Sequence, residues 1–245
     1  VSDLSTPSTP SIMKGFILAA GEGTRLYPLT LEIPKPLLPV GKIPVITYLI
    51  ELYLKNGIDD IKINVQKKHL ADFYKWKATY FPRKKIEFMT ETRPSGTFTP
   101  IAKKLSSKWF SKTIVVSNGD ELKELNLKKV INWHKKKKGA LTTIGLVKVK
   151  DPKAYGSVKM KGDKIIEFGE KSEKPLSFYI NSGLYIMEPG IRKYFPKKKS
   201  FAMLETDLFP KLAKERKLFG CKWKGKWQDV GTWERWEGAI KNWNQ

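Results

Sequence analysis

A chain of 245 residues, 40% hydrophobic and 12% aromatic, has the composition of a folded globular protein and the length for one large domain or two small ones. Forty-seven Lys and Arg against 24 Asp and Glu leave a formal charge of +23, which favours anionic partners: nucleotides, sugar phosphates, nucleic acid or an acidic membrane surface. The single cysteine, Cys221, excludes an internal disulfide framework and a Cys-rich metal cluster and fits a reducing, cytoplasmic setting; no apolar run approaches the ~18 residues of a membrane-spanning helix.

The first dozen residues, VSDLSTPSTPSI, are rich in Ser, Thr and Pro and read as a disordered leader or an expression remnant, with Met13 as the expected start and residues 13–245 as one domain. KGFILAA is a short apolar run of the kind a strand buried on both faces shows, and PVITYLIELYLKNG follows with helical period and an Asn56-Gly57 stop. DIKINVQ reads as strand, HLADFYKWKATYF as helix, KIEFMTE as strand, PIAKKLSSKWF as helix, TIVVSNGD as strand and LKKVINWHKKKKG as helix. This alternation predicts a three-layer α/β/α sandwich: a mainly parallel, mixed sheet with helices on both faces. ALTTIGLVKV adds a strand; past Asp151, YGSVKMKGDKIIEFGEK reads as a hairpin about Gly162-Asp163 and FYINSGLYIMEP as another strand. FAMLETDLFPKLAKERKLFG and TWERWEGAIKNW read as closing helices, the second docking through Trp233, Trp236, Ile240 and Trp243. The run Lys135 to Lys138 reads as a solvated face, and His69 and His134, in helical Lys-rich surroundings, are expected at the surface rather than as ligands.

FILAAGEGTRLYPLT, residues 16–30, leaves the first strand through two glycines and places an arginine just beyond. In open α/β sheets, ligands bind outside the carboxyl ends of strands, where backbone N–H groups are free to hold phosphate oxygens. Glycine allows close approach and positive φ there, and Arg25 offers a permanently charged fork. The loop lacks the spacing of a Walker phosphate loop and the third glycine of the dinucleotide fingerprint. A second basic centre, Lys35, stands between Pro34 and Pro36, which restrict the backbone on either side of it.

GEGTRLYPLTLEIPKPLLPVGKIPVI resembles the signature of the sugar-1-phosphate nucleotidylyltransferases, and among their short members the mannose- and heptose-1-phosphate guanylyltransferases. The resemblance continues through SNGDEL, YGSV, EFGEKSEKP, INSGLYIMEP and KWQDVGTWERW, from Met13 to about Trp243. It implies a Rossmann-like nucleotidyltransferase fold and transfer of a nucleotidyl group from a nucleoside triphosphate to a sugar 1-phosphate, releasing pyrophosphate, with Mg²⁺ as cofactor. Catalysis falls on Arg25, Lys35, Asp120 and Lys171, and the metal on Asp120 and Asp229. Nucleotide binding falls on Leu18, Ala20, Gly21, Gly23, Thr24 and Arg25, then Glu91, Pro94, Gly96 and Thr97; the sugar phosphate falls to Gly156, Glu170, Lys171 and Asn181.

The chemistry agrees with that assignment. Two polyanions must meet before an oxygen attacks phosphorus in line, so positioning and charge neutralisation carry most of the catalysis. Arg25 is assigned to the departing β,γ-phosphates, Lys35 to the triphosphate near the reacting phosphorus, Lys171 to the attacking sugar phosphate and Glu170 to sugar hydroxyls. Read singly, Asp120 caps a helix, Asp229 closes a turn and Glu170-Lys171 is an exposed pair. By the same resemblance Pro94-Ser95-Gly96-Thr97 is similar to the pattern of purine-using members, which implies GTP with mannose 1-phosphate or a related sugar phosphate; Phe98-Thr99-Pro100 departs from the family pattern, with Phe98 placed to reshape the pocket wall. Thymidylyl, uridylyl or cytidylyl transfer stays open, as do a homo-oligomer, a basic nucleic-acid-binding protein and an inactive nucleotide-sugar sensor.

Overall fold

The computed structural model describes residues 13–243; the expected leader, residues 1–12, lies outside the described residues, as do the last two. The chain opens with β1 (Lys14–Ala19), α1 (Leu29–Glu32), a small ladder of β2 (Pro39–Val40) with β3 (Ile43–Pro44), and α2 (Val45–Lys55). Next come β4 (Ile61–Gln66), α3 (Leu70–Tyr80), β5 (Ile86–Glu91), β6 (Ile114–Asn118), β7 (Glu121–Lys123), α4 (Leu127–Lys135) and β8 (Thr142–Lys148). The remainder is β9 (Ser157–Lys161), β10 (Lys164–Gly169), β11 (Tyr179–Met187), α5 (Phe209–Lys214), β12 (Leu218–Lys222), β13 (Trp227–Asp229) and α6 (Trp233–Asn242).

Nine strands form one sheet in the order β5-β4-β1-β6-β11-β8-β12-β10-β9. The first four are parallel, so their carboxyl ends share one edge. β11 enters antiparallel between β6 and β8, β12 is parallel to β8, and the β10–β9 hairpin closes the far side antiparallel. The pleat sends alternate side chains to opposite faces. Phe16 and Val116 enter a core with Ile144, Phe209 and Leu212, while Ile17 and Val115 meet Ile50 and Tyr53 of α2, Trp76 of α3 and Val130 of α4. Helices therefore cover both faces. A smaller core of Val40, Val45, Leu122, Val230 and Ala239 ties α2, β7 and α6 together.

Several elements differ from the sequence expectation. PIAKKLSSKWF forms only a π-helical turn, Pro100–Lys104, because Leu105 turns extended (ψ 128°) and the Arg192 guanidinium takes the carbonyls of Leu105 and Ser106 that a helix would have used. The long helix expected over FAMLETDLFPKLAKERKLFG is a π turn, Leu204–Leu208, followed by α5; Arg216 then adopts φ +58° and the chain re-enters the sheet as β12, whose Leu218 is fully buried. On α6, Trp236 donates from Nε1 to the Pro39 carbonyl (3.0 Å) and Trp243 packs edge-on against Tyr48, whereas Trp233 and Ile240 lie on the outer side of that stripe, exposed. His69 and His134 are both buried, not at the surface. The Lys-rich helix hides His134 on its inner face, Nδ1 2.7 Å from the Thr143 hydroxyl and Nε2 3.0 Å from the Glu188 carboxylate. Burial, with the charge of Lys68, pushes His69 below the usual histidine range. Among the described residues no helix is long and apolar enough to cross a membrane.

Gly15 of β1 sets how closely α2 approaches. A Cβ there would stand 2.5 Å from the ring carbons of Tyr53, whose hydroxyl donates to Ser117 Oγ (2.8 Å) in β6. Gly15→Ala is expected to lower the unfolding free energy by about 1–3 kcal/mol through overpacking. Gly238→Ala, in α6 with no atom within 4 Å of the added methyl, is expected to raise it by about 0.5–1 kcal/mol. Denaturant titration of the two variants checks both signs.

Candidate functional site

The loop leaving β1 is held from three sides. Gln66 Nε2 donates to the Ala20 carbonyl (3.0 Å), Gly119 N–H donates to the Leu18 carbonyl (2.9 Å), and the Thr30 hydroxyl donates to the Gly23 carbonyl (2.8 Å). Gly23 adopts φ +71°, and a Cβ there would come within 3.0 Å of both Lys35 Cγ and Thr30 Cγ2. The glycine pair, Pro-Leu-Thr and Pro-Lys-Pro are thus parts of one packed unit, which accounts for their fixed spacing in the sequence.

Beside this loop lies a hollow of about 480 Å³. Leu18, Ala20, Gly21, Gly23 and Thr24 line it from the β1 side and Glu91, Pro94, Gly96 and Thr97 from beyond β5, all of them expected nucleotide-binding positions. Glu91 is almost fully buried, and its carboxylate accepts from the Ser95 N–H (3.0 Å), the Ser95 hydroxyl (2.7 Å), Asn64 Nδ2 (3.1 Å) and the Lys104 ammonium (3.0 Å). A charged acceptor with four donors pins the loop that follows it. Gly96, at φ +86°, lies against the backbone of Ala202: a Cβ would fall 2.3 Å from that carbonyl oxygen, so only glycine brings the two segments together. Phe98 N–H donates to the same oxygen (2.9 Å) and Ala202 N–H donates to Ser95 O (3.1 Å). Phe98 itself is fully buried against Phe195, ring centroids 5.4 Å apart; it belongs to the core and does not line the hollow, contrary to the expectation that it shapes the pocket wall.

A second hollow, about 180 Å³, adjoins the first, and Lys171 and Met203 border both. Asp120, Gly156, Glu170, Asn181 and Asp229 line it, and so does Arg25, which the sequence reading groups with the nucleotide-binding positions of the first hollow. Lys35 does not line either hollow but bonds Asp120 through Nζ. Burial pushes the Asp120 carboxyl up, but Lys35's charge and hydrogen bond, with Lys123, outweigh it and hold the group below the usual carboxylate range. Asp120 caps no helix; Asn126 does, accepting from Lys129 N–H. Asp229 stands opposite Glu121 in the β7–β13 ladder, and Val230 N–H donates to the Asp120 carbonyl (3.1 Å), which brings the two aspartates to one end of the hollow. Asp229 Oδ2 accepts from the Tyr155 hydroxyl (2.8 Å), and Oδ1 accepts from Gly231 N–H (2.9 Å) and Arg235 Nη1 (3.2 Å). A Cβ on Gly231 would stand 3.2 Å from Arg25 Nη2, so the bare backbone there leaves room for the Arg25 guanidinium. Burial and the Asp229 charge push the Tyr155 hydroxyl far up, so it remains a donor. Lys171 lies 3.5 Å from Glu170 at a backbone with φ +37°. Asn181 spends its amide internally, Oδ1 accepting from Gly183 N–H (3.0 Å) and Nδ2 donating to the Tyr185 hydroxyl (2.8 Å), which fixes the β11 bulge.

Sequence reading missed several lining residues. Glu121 accepts from Trp227 Nε1 and Asn118 Nδ2, both at 2.8 Å, and pairs with Lys123 at 3.2 Å; burial raises its carboxyl against the pull of Lys123. Glu121, Tyr155, Trp227 and Arg235 each sit inside a quoted motif, beside or near a nominated residue, so the signal was adjacency. Asn64, Phe201, Met203 and Glu205 carried no local signal. The last three arrive through the Ala202–Gly96 packing. Glu205 accepts from the Thr97 hydroxyl (2.7 Å), and burial raises its carboxyl.

A profile of the nucleotidyl transferase family matches residues 14–244. The chain is 34% identical over 222 residues to mannose-1-phosphate guanylyltransferase of Mycobacterium tuberculosis, covering 88% of this chain and 60% of that one; it is 36% identical over 228 residues to mannose-1-phosphate guanyltransferase 2 of Candida glabrata, covering 89% and 61%. The chain thus spans about three fifths of the length of the curated relatives it matches. Among solved structures, a Bacillus anthracis protein assigned as a glucose-1-phosphate thymidylyltransferase, in complex with a sucrose, superposes with TM-score 0.82 at 26% identity, covering 94% of each chain. HddC of Yersinia pseudotuberculosis superposes with TM-score 0.79 at 26% identity, covering 95% of this chain and all of that one. Profile, relatives and superpositions run along the same loops that build the two hollows: the chain belongs to the nucleotidyl transferase family.

Proposed function

We propose that this chain, as one domain over residues 13–245, transfers a nucleotidyl group from a nucleoside triphosphate to a sugar 1-phosphate, with GTP and mannose 1-phosphate as the substrates. One observation carries the reading: two adjoining hollows share a wall at Lys171, and Arg25, Asp120 and Asp229 line the second of them with Lys35 bonded to Asp120. The relatives named mannose-1-phosphate guanylyltransferases support the choice of substrates, and HddC was also solved complexed with GMP-PN. The Pro94–Thr97 loop against the first hollow is the proposed base-reading element.

In the proposed reaction a phosphate oxygen of the sugar phosphate attacks the α-phosphorus. The new P–O bond forms as the bond to the β-phosphate oxygen breaks, and pyrophosphate leaves with that electron pair. Both substrates are ionised at neutral pH, so no general base or covalent nucleophile is needed. Backbone N–H groups of the Gly21–Thr24 loop and the Arg25 guanidinium take the β,γ-phosphates, where negative charge accumulates. Lys35 exchanges its bond to Asp120 for a phosphate oxygen, Lys171 orients the attacking phosphate, and Glu170 accepts from sugar hydroxyls.

Magnesium is the proposed cation. Asp120 and Asp229 offer two carboxylates to one hollow, a donor set suited to a hard ion that keeps several waters and takes phosphate oxygens from the substrate. Among the described residues no group of three or more His, Cys, Asp or Glu forms a cage of its own, which also fits an ion that arrives with the triphosphate. When bound, it supplies Lewis-acid polarisation of the phosphate oxygens.

A panel of triphosphates crossed with hexose 1-phosphates, read as pyrophosphate release, is expected to give its highest kcat/KM for GTP with mannose 1-phosphate and to fall silent with excess chelator. A best pair built on dTTP or UTP would replace the substrate choice. Silence of every pair from folded protein would remove the transferase reading, and tight, steeply salt-dependent RNA binding would then favour the nucleic-acid alternative. Asp120→Asn is expected to lower kcat by at least about 100-fold with unchanged circular dichroism; near-native turnover would take Asp120 out of the reaction. Lys171→Ala is expected to raise KM for the sugar phosphate about ten- to a hundredfold, from loss of a charge-assisted contact, while KM for the triphosphate moves little.

A further inference from the structure

We propose that Arg235 is a second anchor for the phosphate of the sugar phosphate; the inference rests on the transferase reading and deepens it. Arg235 sits in the first turn of α6 and lines the second hollow alone. Four contacts hold it: Nη1 donates to Asp229 Oδ1 (3.2 Å), the guanidinium lies 4.5 Å from the Tyr155 ring centroid, its backbone N–H donates to Thr232 Oγ1 (3.4 Å), and its carbonyl accepts from Gln228 Nε2 (3.3 Å). The side chain is 22% exposed, too enclosed for an ordinary surface pair. A guanidinium carries five N–H donors in a rigid fork, and the Asp229 contact uses one of them. The Tyr155 ring beneath the guanidinium limits where the others can point.

The charge around this hollow gives the fork its task. Five carboxylates line it, from Asp120, Glu121, Glu170, Glu205 and Asp229, against three cations, Arg25, Lys171 and Arg235. Lys35 offsets Asp120 and Lys123 offsets Glu121, and burial favours the neutral form of Glu205, yet an incoming phosphate still meets Glu170 and Asp229. Arg25 follows directly on Thr24 of the first hollow and is assigned to the triphosphate, and Lys171, which borders both hollows, is the first anchor of the sugar phosphate. Arg235 is the lining cation confined to the second hollow. Gly231 and the Thr232 cap place the amino end of α6 beside it, and that end also favours an anion.

The test separates phosphate binding from mere neutralisation of Asp229. Mannose 1-phosphate is titrated calorimetrically into wild type, Arg235→Gln and Arg235→Lys with Mg²⁺ and a non-hydrolysable GTP analogue, and steady-state constants are measured beside it. Arg235→Gln is expected to weaken mannose 1-phosphate about ten- to a hundredfold, with KM for GTP and the Mg²⁺ requirement within about twofold of wild type. Arg235→Lys keeps the charge without the fork and is expected to restore only part of the binding. Unchanged mannose 1-phosphate affinity in Arg235→Gln, with a raised Mg²⁺ requirement or with none, would overturn the proposal. So would full rescue by Arg235→Lys. If wild type binds the sugar phosphate yet turns nothing over, the transferase reading fails and Arg235 is judged by the binding series alone; if wild type neither binds nor reacts, both fail.

Discussion

Two phosphorylated molecules repel each other, and a protein that joins them must bring positive charge to the junction before bringing the substrates. Most of the cations at this junction are enclosed and held by carboxylates. Lys35 bonds Asp120, Arg235 bonds Asp229, Lys123 pairs with Glu121 and Lys171 lies against Glu170. Lys35, Lys123 and Arg235 are each positioned by a carboxylate, while Lys171 keeps a largely exposed side chain, so in the proposed reaction most of the basic groups are already placed when the phosphate arrives. A buried ion pair of this kind adds little to stability once desolvation is counted. Its worth lies in preorganisation, which removes the cost of ordering long basic side chains at the moment of reaction. In the proposed reaction the chain's net charge of +23 acts at longer range, favouring the approach of anionic substrates.

The fold exists to keep that arrangement in register. Parallel β4, β1 and β6 end on the same edge, and the loops that follow them are cross-braced by Gln66, Gly119 and Thr30. β11 breaks the parallel pattern beside β6, and its bulge at Asn181–Tyr185, with Gly183 at φ +57°, lets the Asn118–Glu121 turn pack against it. The β7–β13 ladder then returns Asp229 from late in the chain to Asp120. Residues more than a hundred positions apart thus meet through backbone ladders rather than through flexible side chains.

Much of this was legible in the sequence because the site is assembled from local motifs at strand ends. GEGTR, Pro-Lys-Pro, SNGDEL and WQDVG carry their own turn chemistry, and Arg25, Asp120 and Asp229 fell where those motifs put them. What stayed hidden depended on tertiary contact. Phe98 read as pocket wall because Phe98-Thr99-Pro100 departs from the family pattern beside the Pro94–Thr97 loop, yet it turns inward onto Phe195. Met203 and Glu205 join the site only because Gly96 admits the Ala202 backbone. His134 looked solvated among lysines, but the amphipathic helix carries it on the buried face against Thr143 and Glu188. Periodicity locates an element's inner face; it does not say which distant segment will cover it.

The central claim is that the two adjoining hollows are the two halves of one reaction site. A crystal structure with Mg²⁺, a non-hydrolysable GTP analogue and mannose 1-phosphate tests it most directly. The account requires the base between Leu18 and Gly96, the sugar beside Gly156 and Glu170, and the phosphates meeting among Arg25, Lys35, Asp120 and Asp229. Density that places either ligand elsewhere on the molecule, or both with their phosphates turned away from that cluster, would contradict it.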